Sequence, residues 1–101
     1  MAVVQVSVVP VGTSSPSISH HVAHCLEVLD GTGLKYQLTP MGTVIEGDLR
    51  DILDAVASMH EQTFGGEVVR VLTTIIVDDR KDKALTMQGK LDAVRRRREG
   101  G

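Results

Sequence analysis

A chain of 101 residues can close one hydrophobic core and is too short for two. Its 42% hydrophobic and 24% charged residues describe an ordinary globular domain, and a net charge of −2 creates no global field toward nucleic acid or an anionic membrane. Tyr36 and Phe64 are the only aromatic residues and Trp is absent, so the core has to be assembled from Val, Ile and Leu.

Ala2–Val11 is rich in β-branched residues, with Val4, Val6 and Val8 on one parity and Gln5 and Ser7 on the other. That alternation predicts a strand with one apolar and one mixed face, closed by Pro10 and Gly12. Ser15 is placed to cap a helix with Pro16 in its first turn. Ile18, Val22, Cys25, Leu26 and Leu29 form its apolar stripe, and Gly31 and Gly33 stop it. Leu34–Thr39 alternates again, Pro40–Gly42 makes a turn, and Thr43–Glu46 reads as a second short strand. Asp48 caps a second helix whose stripe is Leu49, Ile52, Leu53, Val56 and Met59, ending near Phe64 at Gly65-Gly66. Val68–Val77 reads as the longest strand, Asp78–Lys83 as a solvated charge run, and Thr86–Arg98 as a short C-terminal helix.

The predicted order is strand, helix, strand, strand, helix, strand, with an extension over about 84–101. Residues 1–101 therefore read as a single α+β domain: a ferredoxin-like βαββαβ two-layer sandwich. It has a four-stranded antiparallel sheet, two helices on one face and a short C-terminal helix. Assigning the more apolar parity of each strand to the helices leaves an open face of Gln5, Ser7, Val9, Lys35, Gln37, Thr39, Val44, Glu46, Arg70, Leu72, Thr74 and Ile76. This mixture is too apolar to be left in water and too polar for a dry core. It suits an interface between copies that also lines a polar pocket.

Thr39–Asp48 concentrates turn residues, hydroxyls and a carboxylate around one short strand, so the hairpin is the expected location of a site. The runs Val8-Val9-Pro10-Val11-Gly12-Thr13 and Gly33–Gly47, with Thr73-Thr74-Ile75 and Asp78-Asp79-Arg80, resemble the thiamine-binding protein family over nearly the whole chain. The resemblance implies a ferredoxin-like fold, association into dimers or tetramers through the sheets, and binding of thiamine or its hydroxymethylpyrimidine moiety. An aminopyrimidine needs an acceptor for its amine and hydroxyl or amide partners for its ring nitrogens. Glu46 is the candidate charge partner, Ser7, Gln37, Thr39, Thr43 and Thr74 the neutral ones, and Met41 a soft contact for the ring. The alternative is a structural or regulatory homo-oligomer with no small ligand.

Other chemistries are weaker. His20 and His24 are one helical turn apart with Glu27 nearby, but His20, His21 and His24 lack a distant further ligand, so a solvated helix face is expected rather than a metal site. Cys25 and His24 point about 100° apart on a helix, which leaves no nucleophile–base pair. No phosphate-loop motif is present. The expectation is a protein without enzymatic activity or cofactor. Arg95–Arg98 is a basic cluster without stacking aromatics, and no nucleic-acid partner is expected. No apolar run approaches the ~20 residues of a membrane span, and no leader pattern opens the chain, so a cytoplasmic protein without a membrane partner is expected.

Overall fold

The strand with the cleanest alternation becomes the centre of the sheet. The computed structural model describes residues 1–15 and 18–100. Strand β1 (Ala2–Pro10) is paired on both sides, with β3 (Gly42–Gly47) and β4 (Val71–Asp79), while β2 (Lys35–Thr39) pairs with β3. The order β2-β3-β1-β4 is antiparallel throughout, the arrangement of two interleaved β-α-β units. Helices α1 (Ser19–Asp30) and α2 (Leu49–Thr63) follow β1 and β3, and α3 (Met87–Glu99) closes the chain.

The parity of β1 decides which face holds the core. Ala2, Val4, Val6 and Val8 are buried with Ile45 of β3, Cys25 and Leu29 of α1, and Ile52, Ala55, Val56 and Met59 of α2. Successive strand residues point to opposite faces, so Gln5, Ser7 and Val9 turn away from the helices. The register aligns them in rows: Lys35, Glu46, Val3 and Asp78 form one, and Gln37, Val44, Gln5 and Ile76 the next. The strand residues expected on the open face lie there, joined by Val3 and Asp78, while Arg70 precedes β4.

Local signals explain most element ends. Asp48 accepts hydrogen bonds from the Arg50 and Asp51 amides at 3.0 and 3.3 Å and opens α2 as expected. Helix α1 instead begins at Ser19, with Ile18 in the cap position and no side-chain cap, so Ser15 does not perform that role. The proposed first-turn Pro16 lies outside the described residues. At the other end of α1, Gly31 keeps right-handed dihedrals and Gly33, at φ +76°, takes the left-handed conformation that reverses the chain. The last strand starts three residues later than expected because Val68 is buried in a turn bridged to Gly65, and the ladder then runs on through Asp79. Within α2, Ala55 is buried and Leu53 is 39% exposed, which shifts the stripe by a fraction of a turn.

The C-terminal helix is where the two-layer picture changes. Leu85 and Met87 are buried on Val3 and against Val44, so the root of α3 sits on the open face. Among the described residues no helix is long and apolar enough to cross a membrane.

Candidate functional site

The β2–β3 hairpin closes through its own first hydroxyl. Thr39 Oγ1 donates to the Gly42 carbonyl at 2.8 Å and accepts from the Met41 amide at 3.4 Å, holding the Pro40-Met41 tip in place. Gly42 has no room for a side chain, since a Cβ there would lie 2.9 Å from the Val6 carbonyl. The hairpin is therefore pressed against β1 at its base while Met41, 81% exposed, stands out as a lip.

Beneath that lip, on the helix side, lies a cleft of about 120 Å³. Val6 and Val8 of β1, Val22 and Cys25 of α1 and Met59 of α2 form its apolar walls. Ser7, Thr39, Pro40, Met41, Gly42 and Thr43 border it from the sheet. Thr43 is nearly buried in β3. It shares the helix-side parity of Val6, its partner in the β1–β3 ladder, and borders the cleft. Burial raises the Cys25 thiol above its ordinary pKa, partly offset by the Thr63 hydroxyl 3.8 Å away. It is a neutral lining group and no nucleophile at neutral pH.

The residues expected to share one site are divided between the two faces. Ser7, Thr39, Met41 and Thr43 line the cleft. Gln37 and Thr39 border a second hollow, of about 220 Å³, on the open face beneath α3, with Val3, Val44, Met87, Lys90 and Leu91. Thr74 stands exposed opposite Ser7 in the β1–β4 ladder and borders neither hollow.

Glu46 lies on the open face, as its parity predicts, and its carboxylate is engaged within the chain. It is 6% exposed and faces away from the cleft. Its Oε2 accepts the Met87 amide at 2.8 Å, and its Oε1 lies 3.4 Å from Lys35 Nζ. Both oxygens are engaged within the chain, as a buried carboxylate requires. Both partners belong to the chain itself: the Met87 amide opens α3, and Lys35 stands beside Glu46 on β2.

Sequence reasoning missed the deep wall of the cleft. Val22, Cys25 and Met59 read as plain core stripe, and the usable signal was the lack of large side chains to fill a core with only two aromatics. Among the described residues no three His, Cys, Asp or Glu converge on one point. His20 and His21 rings lie 3.8 Å apart, and His24 Nδ1 is 3.8 Å from Glu27.

Comparison with known proteins adds an independent line. The family model described as "Thiamine-binding protein" matches residues 4–95. The UPF0045 protein YqgV of Bacillus subtilis is 42% identical over 98 residues, covering 93% of this chain and 94% of the relative. A UPF0045 protein of Staphylococcus xylosus is 46% identical, covering 93% and 92%. Among solved structures, protein MJ1052 of Methanocaldococcus jannaschii superposes with a TM-score of 0.85 at 39% identity, over 92% of this chain and 94% of that one. A Thermotoga maritima protein provisionally assigned to thiamine biosynthesis or salvage gives a TM-score of 0.77 at 21% identity, over 92% and 97%, a likeness of fold.

Proposed function

The chain belongs to the thiamine-binding protein family, and on that premise we propose that it is a non-enzymatic binding protein for the hydroxymethylpyrimidine group, free or as part of thiamine, seated in the helix-side cleft. The observation that carries this reading is the cleft itself, apolar at depth and bordered by Thr43 beneath the hairpin. Its volume is comparable to the ~150 Å³ of apolar cavities that accept a benzene-sized ring. A methylated pyrimidine places its methyl edge among Val6, Val22 and Met59 and exchanges hydrogen bonds with Thr43, which both donates and accepts. Among the described residues no carboxylate lines the cleft, so a thiazolium carries its charge outward, past Met41, into water.

Calorimetry against thiamine and hydroxymethylpyrimidine tests this. Both ligands bind the wild type, with affinities within about tenfold of each other, because they share the buried ring. Thr43→Val weakens both by about 3- to 10-fold, the value of one neutral hydrogen bond. Val22→Phe fills the cleft and abolishes binding, while Glu46→Gln leaves affinity within about threefold because Glu46 faces the other way. Absence of binding by the wild type, or dependence on Glu46 rather than Val22, would contradict the cleft.

A second proposal concerns the open face. Leu72 and Ile76 are 59% and 58% exposed there, beside Val9. Self-association through this face removes that apolar surface from water, at about 25 cal/mol per Å².

A further inference from the structure

Helix α3 is joined to the body by few attachments. From Arg80 to Thr86 the chain has no regular structure, and after Met87 the helix is exposed except at Asp92. Leu85 and Met87 are packed on Val3, Lys90 pairs with Asp78, and Glu46 receives the Met87 amide. The last of these spans 41 residues of sequence and joins the extension to the central hairpin.

The Glu46 contact is matched to the end of a helix. Met87 is the first residue of α3, and its amide is one of the donors that a helix cannot satisfy internally. Thr86 accepts the Gly89 amide at 2.9 Å, and Glu46 supplies the acceptor that Thr86 does not. A carboxylate also complements the positive end of the helix dipole. Met87 also borders the hollow between α3 and the sheet, which Val44 lines from β3 and Leu91 from α3.

We propose that α3 is a hinged strap over the open sheet face, with the Glu46 carboxylate as its catch. When the strap is docked, it covers Val3, Val44 and the hollow. When it is released, Glu46 meets water rather than apolar core, so the carboxylate is not stranded and both states are attainable. The strap controls access to the open face, and its action is independent of ligand in the cleft on the opposite side.

Amide exchange and methyl NOEs on the full-length protein test the catch. In the wild type the Met87 amide exchanges at least about tenfold more slowly than an unprotected amide. Glu46→Ala accelerates it by about tenfold or more without changing β1 or β3 amides, and Glu46→Gln, which keeps an acceptor, retains part of the protection. A second pair of variants leaves β3 intact. Met87→Pro removes the donor in addition to the side chain removed by Met87→Ala. Proline is acceptable at a first helical position after an extended residue, and Thr86 is extended at φ −134° and ψ 157°. Met87→Pro, compared with Met87→Ala, loses the Leu85–Val3 NOEs and binds more of an apolar fluorescent dye, while helicity is retained. An unprotected Met87 amide in the wild type overturns the proposal. So does Met87→Pro that keeps the NOEs and dye response of Met87→Ala.

Discussion

Thr43 and Glu46 are three positions apart in one strand, and an odd separation sends them to opposite faces. That separation was readable from the sequence, where grouping by proximity had put both residues in one site. What could not be read was the second partner of Glu46 beside Lys35, because that donor is a backbone amide in a distant extension. The histidines offer a test at the same scale. His21 is held below its ordinary pKa, first by partial desolvation and then by repulsion from His20 and His24. The folded state thus resists its protonation, and the associated stability is present above the unfolded value of ~6.5 and lost as pH falls through the folded one. The melting temperature should decline between pH 7.5 and 5.5, and His21→Gln should flatten part of that decline. The effect is small because solvent screens the ring. An identical pH profile for wild type and variant would remove the cluster as its source.

Elements were legible where a local signal had no competitor. The strand parity of β1 and the Asp48 cap both survive into the structure, since each is decided within a few residues. Asp48→Ala should cost about 1 kcal/mol, the usual loss at a helix cap. In a domain of this size that lowers the melting temperature by roughly 4–8 °C, measurable by thermal denaturation. An unchanged melting point would mean that α2 does not need its cap. Signals failed where packing outweighed them. Ser15 is a good capping residue, but α1 starts at Ser19, and Val68 is a good strand residue drawn into the turn after α2. The docking of α3 had no sequence signal, because Leu85 and Met87 precede and open an otherwise polar, arginine-rich helix.

The whole molecule presents two unlike faces. The helix side holds the core and the cleft beneath the hairpin, while the sheet side carries the root of α3 and exposed aliphatics of β4. The strand alternation foretold this division, and the volume left empty inside it depends on three-dimensional packing that alternation does not contain. The sheet side should associate. Sedimentation velocity at micromolar concentration should show a dimer or larger species, and Leu72→Lys with Ile76→Lys should return it to monomer. A wild-type monomer throughout would count against association. The binding claim is tested most directly by mapping hydroxymethylpyrimidine onto the protein by NMR. The account predicts shift changes at Val6, Val22, Cys25, Thr43 and Met59, with Val3, Val44 and Glu46 unmoved. Changes confined to the open face, or none at millimolar ligand, would contradict it.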